Sequence, residues 1–146
     1  MHTRKMLVSD YGQIYGLWLS CPGMGLNNLD DSRNGIERFL KRNPDTCFVA
    51  EAEGRIVGAI LAGNDGRRGY IYHTAVSPAH RHEGIGRGLA EAALKALQRL
   101  GINKVALVVF NRNADGNAFW EKVGFTVRED LCYRNRSIHD LERIDT

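Results

Sequence analysis

A glycine-rich turn stands between a short strand-like run and a long helical run, and it restricts the fold of this chain more than any other segment. Residues 69–76 have strand character, glycines recur at every second position from Gly84 to Gly88, and an apolar helical pattern continues to about residue 100. Glycine has no Cβ, so the backbone of such a turn can approach a ligand closely. The first N–H groups of a helix are unpaired and lie at the positive end of its dipole. The segment therefore predicts a pyrophosphate site at the start of the main helix.

Apolar periodicity and turn signals elsewhere predict the order β-α-α-β-β-β-α-β-α-β. The predicted strands are 4–8, 46–52, 56–62, 70–76, 104–110 and a run from Phe125, and the predicted helices are about 10–20, 32–42, 86–100 and 115–123. The strand–helix–strand unit in the middle should be a right-handed parallel crossover, whereas the hairpins before it should be antiparallel. The expected fold is therefore α/β, with a central mixed β-sheet and helices on both faces, in a single domain over residues 1–146.

Local signals mark the ends of these helices. Asp10 is the candidate N-cap of the first helix, and Asp31 or Ser32 is that of the second. Gly101 stands where a glycine often ends a helix. Between the first two helices, residues 23–29 are predicted to be a flexible loop. The buried face of the long helix should consist of Leu89, Ala92, Ala93, Ala96, Leu97 and Leu100.

Composition excludes several classes of protein. The 146 residues are 43% hydrophobic and 25% charged, as in globular domains. No apolar run approaches the ~20 residues that cross a bilayer, and no segment near the N-terminus has the pattern of a signal peptide, so a cytoplasmic protein without membrane contact is expected. The three cysteines lack the spacing of zinc ligands or of a disulfide framework, so no metal is expected. A net charge of +3 without a basic run argues against nucleic-acid binding, and a homodimer is left open.

The glycine pattern alone is a weak signal. Dinucleotide-binding folds place Gly-x-Gly-x-x-Gly after the first strand, whereas these glycines follow a later strand at the spacing Gly84-x-Gly86-x-Gly88. A P-loop is excluded because no Gly-Lys-Ser/Thr occurs. A helix start that is glycine-rich only for close packing is the alternative, but Arg81 and Arg87 beside the glycines favour an anion site.

Three segments in order make the chain resemble the GNAT N-acetyltransferase superfamily, over about residues 3–134. Segment 81–86, Arg-His-Glu-Gly-Ile-Gly, is similar to the family's Arg/Gln-x-x-Gly-x-Gly/Ala signature. It follows a strand end, Thr-Ala-Val-Ser-Pro, at 74–78. It precedes Asn-x-x-Gly-x-x-x-Trp-x-Lys-x-Gly-Phe at 113–125, which is similar to the family's Asn-x-x-Ala-x-x-x-Tyr-x-Lys-x-Gly-Phe. The resemblance implies a GNAT-like acyl-CoA N-acyltransferase fold with acetyl-CoA as the cofactor.

The resemblance also implies a role for each matching position. Backbone groups of Ala75, Val76 and Ser77 would pair with the pantetheine arm of acetyl-CoA, and Asn113 would contact the same arm. Trp120 occupies the position of the family's tyrosine in this cofactor site. The pyrophosphate would be held by the backbone N–H groups of Arg81, His82, Glu83, Gly84, Ile85, Gly86, Arg87 and Gly88.

The implied chemistry is direct attack of a neutral amine on the thioester carbonyl, with the oxyanion near the Val76 N–H. The family's tyrosine protonates the leaving thiolate, but an indole N–H such as that of Trp120 is not a practical acid. Two alternatives follow. Another group protonates the thiolate, or the thiolate leaves as an anion, which sulfur can sustain.

Tyr72 and His73 are the catalytic candidates. In the family, the positions of Tyr70 and Tyr72 often face the acceptor, so Tyr70 is a candidate for substrate binding and Tyr72 for an acid; ring packing is the alternative. Histidine is the residue type best suited to act as a base near neutral pH. In a regular strand, however, Tyr70, Tyr72 and Thr74 share one face and His73 points to the other, which favours a packed, hydrogen-bonded role for His73.

The acceptor is expected against the loop between the first two helices, residues 22–31. Asp30 and Asp31 are candidates for binding a cationic amine, and helix capping is the alternative for both. The amine itself is open, from a peptide N-terminus to a small molecule. Two other functions also stay open: a CoA-binding regulatory or interaction module with little catalysis, and transfer of a larger acyl group.

Overall fold

The computed structural model describes residues 1–144. Single turns of 3-10 helix lie at Val8–Asp10 and Pro78–His80. Within the described range, none of the helices combines the length and the apolar character that crossing a membrane requires. In chain order the elements are β1 (His2–Lys5), α1 (Tyr11–Leu19), β2 (Leu26–Asn27), α2 (Arg33–Arg42), β3 (Phe48–Ala52), β4 (Arg55–Asn64), β5 (Gly69–Val76), α3 (Ile85–Arg99), β6 (Val105–Ala106), α4 (Ala114–Val123) and β7 (Arg143–Ile144).

Five strands form the central sheet, in the order β1-β3-β4-β5-β6. β1, β3, β4 and β5 pair antiparallel, and β5 pairs with β6 in parallel. Helix α3 connects the two parallel strands, so the expected mixed sheet is confirmed. β2 and β7 form a separate antiparallel pair. β2 lies in the segment that was predicted to be a flexible loop, and that prediction is wrong at its pairing residues.

Apolar side chains cover both sides of the sheet, which confirms the prediction of helices on both faces. Fully burying a side chain of the size of leucine or isoleucine contributes about 1.5–3 kcal/mol, so these two clusters account for much of the stability. The α3 face is the side whose buried cluster includes Ile60, Ala62, Ile71, Leu89 and Leu97. The α1 face is the opposite side, whose cluster includes Trp18, Ile36, Val49, Leu61 and Ala75.

The ends of the helices follow local side-chain chemistry. Ser32, one of the two predicted caps, accepts the Gly35 N–H at 3.0 Å and begins α2. Gly101 follows α3 with a φ of +83°, in the left-handed region that side chains disfavour, so this predicted helix end is confirmed. Asp10 stands at the N-cap position of α1, as predicted, but its side chain accepts no N–H group of that helix. The Asp10 carboxylate turns back and accepts the Leu7 N–H at 2.8 Å instead.

Other elements differ from their predicted bounds. β1 begins and ends earlier than expected. β6 has two residues instead of the run 104–110, because the chain diverges from β5 after them. The run from Phe125 forms no strand over residues 125–140, where side chains such as Val127 are largely exposed. Leu100, expected on the buried face of α3, is 52% exposed at its C-terminal end.

Candidate active site

The carboxyl end of β5 has one free edge. β6 pairs with β5 only at Gly69 and Tyr70, so among residues 1–144 no strand lies beside the rest of β5 on that side. On the other side, the Ser77 N–H donates to the Val57 carbonyl of β4 at 2.7 Å. Hydrogen-bonding directions alternate along a strand, so the N–H and C=O of Val76 point to the free edge.

This geometry corrects part of the expected backbone pairing with a cofactor. Ala75 pairs with Ala59 of β4 in the same ladder, so the backbone groups of Ala75 and Ser77 are directed to β4 and not to a ligand. Val76 is the residue of the three that faces the free edge. Its carbonyl oxygen accepts the buried Cys21 thiol, with 3.6 Å between sulfur and oxygen, and its N–H is left for a ligand.

The turn before α3 presents backbone donors. His82 and Gly84 have positive φ values of 65° and 80°, and no side chain accepts the first N–H groups of the helix. The N–H groups of residues 85–87 have no carbonyl one turn earlier in the helix. The Gly88 N–H, by contrast, donates to the Gly84 carbonyl at 3.0 Å. Gly88 is therefore the one predicted phosphate donor whose N–H is already used within the helix.

The glycines of this turn serve different purposes. A Cβ at Gly84 or Gly88 would meet no atom within 4 Å, so both positions border open space. A Cβ at Gly86 would lie 3.2 Å from the ring of Phe119. Close packing, the alternative explanation of the glycine pattern, thus accounts for Gly86 but not for Gly84 or Gly88.

The side chains of the turn add positive charge around these donors. Arg81 and Arg87 are exposed, and so are His82 and Glu83, whose predicted part rests on their backbone alone. Arg87 lies 3.9 Å from Glu91 one helical turn later, an exposed pair that contributes little. Unpaired N–H groups beside two guanidinium groups suit a ligand that carries phosphate.

α4 contributes packing and a cap. The side chain of Asn113 accepts the Gly116 N–H at 2.9 Å and begins α4. The ring of Trp120 is 9% exposed and packs edge-on against Phe119 and Phe125, at centroid distances of 4.9 and 5.2 Å. Trp120 belongs to the cluster of the α3 face and also lines the cleft that contains Val76 and Gly84, so its place in the cofactor site stays a prediction.

A β-bulge in β5 overturns the predicted direction of His73. Ile60 of β4 is opposite Thr74 and Ala62 is opposite Ile71, so a single residue of β4 faces both Tyr72 and His73. The extra residue breaks the alternation of a regular strand. Tyr72 and His73 consequently both lie on the α1 face, where Tyr72 contacts Phe39 and His73 contacts Trp18 at centroid distances of 5.5 and 4.9 Å.

The positions of Ile71, Thr74 and Ala75 also show that the alternation of side chains is broken within β5. Ile71 belongs to the cluster of the α3 face, whereas Ala75 belongs to that of the α1 face. A regular strand would have placed these two residues on one face, since they are four positions apart. Thr74, opposite Ile60, therefore lies on the α3 face and not beside Tyr72 as expected.

Asp31 and His73 form a buried pair at this bulge. The Asp31 Oδ1 lies 2.7 Å from the His73 Nε2, and their side chains are 4% and 15% exposed. The second carboxylate oxygen of Asp31 accepts the Asn27 N–H at 2.8 Å. Asp31 is thus neither a helix cap nor an exposed site for a cationic amine, and both sequence-based alternatives for this residue are wrong.

Of the remaining acceptor-side candidates, Tyr70 and Tyr72 line a cleft beside the sheet. The rings of Tyr70 and Tyr72 are 4.6 Å apart, and Tyr72 is 50% exposed. Burial of the hydroxyl groups, with the nearby Tyr133 as a smaller cause, raises the pKa of both tyrosines. Asp30 is exposed, and its carboxylate accepts the Asn27 side-chain amide at 3.0 Å instead of capping α2.

Three contacts were not predicted from the sequence: the Cys21 thiol with the Val76 carbonyl, the ring of Trp18 with His73, and the Asn27 N–H with the Asp31 carboxylate. Only Asn27 had a local signal. Its side-chain oxygen accepts two backbone N–H groups shortly after it in the chain, a turn that asparagine favours. Among the described residues, no group of three His, Cys, Asp or Glu side chains is placed to hold a metal ion.

The sequence is similar to those of known acetyltransferases. The sequence model of the acetyltransferase (GNAT) family matches residues 11–125. An acetyltransferase of Sodalis glossinidius is 33% identical over 97% of this chain and 99% of its own length. An acetyltransferase of Pectobacterium atrosepticum is 32% identical over the same shares of the two chains.

Solved structures share the fold at lower sequence identity. Ard1 of Thermoplasma volcanium has a TM-score of 0.78 and 21% identity, with 87% of this chain and 83% of that chain covered. The PaiA N-acetyltransferase of Thermoplasma acidophilum, solved with coenzyme A, has a TM-score of 0.77 and 19% identity, with 88% and 91% covered.

Proposed function

We propose that this chain, which belongs to the acetyltransferase (GNAT) family, transfers the acetyl group of acetyl-CoA to a primary amine by direct attack. Acetyl-CoA is the cosubstrate, as the family implies. The observation that carries the proposal is the meeting of two features at the end of β5: a free edge at Val76 and, one turn later, a helix start with open backbone donors. The coenzyme A complex of the PaiA enzyme, which shares this fold, supports the same assignment.

Bound acetyl-CoA supplies an acetyl group activated as a thioester. The N–H groups of residues 85–87, with the guanidinium groups of Arg81 and Arg87, would hold its pyrophosphate. Val76 would donate its free N–H to the oxygen that becomes negative during transfer, because a fixed donor at that position stabilises the charge. The described residues fit this ligand, since a Cβ at Gly84 or Gly88 would point into open space.

Tyr72 is the proposed acid of the reaction. Burial raises the pKa of this hydroxyl, so it stays protonated at neutral pH and can donate. Trp120 cannot take this part because its ring is packed in the core. We expect Tyr72→Phe to lower turnover more than affinity for acetyl-CoA. Tyr70→Phe, which removes the neighbouring hydroxyl, is the matched control, and equal turnover of the two variants would remove Tyr72 from the chemistry.

The decisive experiment measures free thiol released from acetyl-CoA over a panel of primary amines, including peptides with free N-termini, polyamines and amino sugars. Amine-dependent release, with the acetylated product identified by mass spectrometry, is the expected result. Binding of acetyl-CoA without release for any amine would favour the alternative function, a CoA-binding regulatory or interaction module. The buried Trp120 at the family's tyrosine position is the observation that keeps this alternative open.

Two finer points belong to the same proposal. Competition among short-chain acyl-CoAs would show whether acetyl is preferred over larger acyl groups. The cytoplasmic location stays a prediction from the sequence, and a homodimer stays open.

A further inference from the structure

We propose that His73 is the base that takes a proton from the acceptor's ammonium group, and that Asp31 is the positioning residue that sets the tautomer of His73. This inference rests on the proposed amine acetylation and deepens it. It rests on three observations: the buried Asp31–His73 pair, the bulge that leaves His73 on the same face as Tyr72, and the ring of Trp18 against the imidazole.

The hydrogen bond determines which imidazole nitrogen can act. An ionised carboxylate has no hydrogen to donate, so at 2.7 Å the His73 Nε2 must carry the hydrogen that Asp31 Oδ1 accepts. The lone pair is then on Nδ1, and a base needs a lone pair. Trp18, fully buried at a ring angle of 71° to the imidazole, restricts rotation of the ring. The pair thus holds His73 in the one tautomer that leaves Nδ1 free to accept a proton.

Asp31 is itself held in place. Its second oxygen accepts the Asn27 N–H at 2.8 Å, and its backbone carbonyl accepts the Tyr11 hydroxyl at 2.6 Å. A buried carboxylate with fixed donors is costly to move, so it stabilises the positive charge that His73 acquires with the proton. These contacts account for the burial of the Asp31 carboxylate, although the residue belongs to a loop. Neither amine binding nor helix capping would require that burial.

His73 lies on the α1 face, the proposed acceptor side, of the strand that ends at Val76. Two residues, Thr74 and Ala75, stand between His73 and Val76, so the two are about 10 Å apart along the strand. An amino group approaching the thioester can span this gap together with one water molecule. Without the bulge, Tyr72 and His73 would face opposite sides of the sheet, and the proposed acid and the proposed base could not both lie on the α1 face.

The proton balance is simple. One proton of the acceptor's R–NH3+ goes to Nδ1 of His73, and the neutral amine then forms the C–N bond with the acetyl carbon as the C–S bond breaks. A second proton of the same nitrogen ends on the departing thiolate. His73 returns its proton to solvent, so the products are the acetamide, the free thiol of coenzyme A and one proton.

Groups that titrate lie around His73 on every element that packs against it. Asp31 comes from the loop before α2, and Tyr72 precedes His73 on β5. Tyr11 of α1 bonds the Asp31 carbonyl, and Cys21 after α1 bonds the Val76 carbonyl. The pH profile of a single variant therefore cannot identify the base, and the test compares two matched variants.

Asp31→Asn is the informative substitution. The asparagine keeps an oxygen for the Asn27 N–H, but its NH2 group then faces Nε2 and forces the hydrogen of His73 onto Nδ1. Asp45→Asn is the control, because it makes the same change of charge at an exposed carboxylate that pairs with Lys5 and has no part in the candidate site. With the amine found for the wild type, we expect kcat of Asp31→Asn to fall about 100-fold or more and that of Asp45→Asn to change less than about two-fold. The KM for acetyl-CoA should be unchanged in both.

Two readouts separate positioning from a structural role. Long-range 15N–1H correlation spectra report imidazole tautomers, with His73→Asn assigning the signal among the five histidines. We expect Nε2–H in the wild type and in Asp45→Asn, and Nδ1–H in Asp31→Asn. An aromatic amine, already neutral at pH 7, should be acetylated by the wild type and by Asp31→Asn at rates within about three-fold, because it needs no base before attack.

The outcomes are distinct. An Asp31→Asn protein with the wild-type tautomer, or with kcat equal to that of Asp45→Asn, overturns the inference and leaves amine acetylation standing. Equal losses with alkyl and aromatic amines would assign Asp31 to structure alone and also overturn it. If the wild type acetylates no amine, the proposed function fails instead, whatever the tautomer.

Discussion

The start of α3 and the start of α4 are built in opposite ways. At α4, the side chain of Asn113 accepts the Gly116 N–H, and a Cβ at Gly116 would lie 2.4 Å from the Asn113 amide nitrogen, so the two residues fit together. At α3, Gly84 has no side chain to offer, and the space beside it is open. At the start of α4, a side chain accepts one of the first backbone N–H groups, whereas at the start of α3 no side chain does so and these N–H groups stay open to a ligand.

The absence of a side-chain cap is a sign that the start of a helix can bind a ligand. A side-chain cap is typically worth about 1 kcal/mol, so a helix that lacks one gives up stability. That loss is offset when an anion binds the same N–H groups. The predictions below test this contrast in two ways. One places a negative charge at the start of α3, and the others remove the side-chain contacts at the starts of the remaining helices.

The largest effect is expected from closing the start of α3 with a negative charge. Gly86 is unsuitable because its Cβ would meet Phe119, and Gly84 because of its positive φ. Gly88→Asp should weaken CoA binding about 100-fold, or about 2.7 kcal/mol, because a carboxylate would repel the pyrophosphate. The same change should raise the stability of the free protein by about 0.5–1 kcal/mol, because glycine and an uncompensated dipole both disfavour the helix.

Calorimetric titration with CoA and thermal unfolding measure the two effects. Gly88→Asn is the matched neutral control at the same open position. Equal CoA affinity of the Asp and Asn variants would show that no phosphate lies near α3.

The next largest effect concerns the segment before α1, which an ion pair fixes. Both carboxylate oxygens of Asp10 accept hydrogen bonds from the Arg4 guanidinium at 2.9 Å. We expect Asp10→Asn to lower the free energy of unfolding by about 2 kcal/mol at pH 7, without changing CoA affinity. Denaturant unfolding checks the first statement. Altered CoA affinity in a folded variant would contradict the second.

The same residue should give the protein a pH dependence. Burial acts to raise the pKa of Asp10, but hydrogen bonds from Arg4 and Leu7 outweigh it, and the pKa is lowered in the folded protein. The unfolded chain therefore takes up this proton first as the pH falls. The contribution of Asp10 is fully present above the unfolded value of about 4 and is lost as the pH falls through the lower folded value. The difference in stability between wild type and Asp10→Asn should shrink over this range; a constant difference would show that the ion pair is not responsible.

A smaller effect is expected at the start of α4. Asn113→Ala should cost about 1 kcal/mol of stability through loss of the cap. Asn113→Asp keeps an oxygen acceptor for the Gly116 N–H and should retain it. If Asn113 also contacts the pantetheine through its amide, both variants will lose CoA affinity. Loss of affinity in neither variant would restrict Asn113 to capping.

The smallest effect is expected at the start of α2. Ser32→Ala should cost about 0.5–1 kcal/mol, because Ser32 accepts the Gly35 N–H. Asp31 precedes it directly, so this variant also tests whether the His73 pair depends on the cap. We expect the tautomer of His73 to stay unchanged in its nitrogen spectrum. A changed tautomer would mean that the cap and the pair form one unit.

Local chemistry made the helix ends around the proposed CoA site predictable. The glycines at the start of α3, the cap Ser32 and the glycine after α3 act within a few residues of their own position, and sequence patterns report such interactions directly. The order and spacing of the three segments at 74–78, 81–86 and 113–125 also indicated the family. The mixed sheet with helices on both faces followed from the same signals.

The acceptor side depends on contacts that no local pattern reports. Asp31 and His73 are 42 residues apart, and the bulge that leaves both Tyr72 and His73 on the α1 face has no composition signal. Strict alternation therefore misplaced His73 and Thr74. The length of β6 also escaped prediction, because an apolar run cannot show where its neighbouring strand diverges.

The extra residue in β5 makes the length of this strand as important as its composition. Deleting one residue at 72 or 73 would leave a single residue between Ile71 and Thr74 and restore a regular ladder, so one side chain instead of two would remain on the α1 face at this point of the strand. Libraries that aim to change the acceptor should therefore vary residue identity along β5 and keep its count. The exposed turn at 65–68 is the place in the same hairpin where insertions should be tolerated.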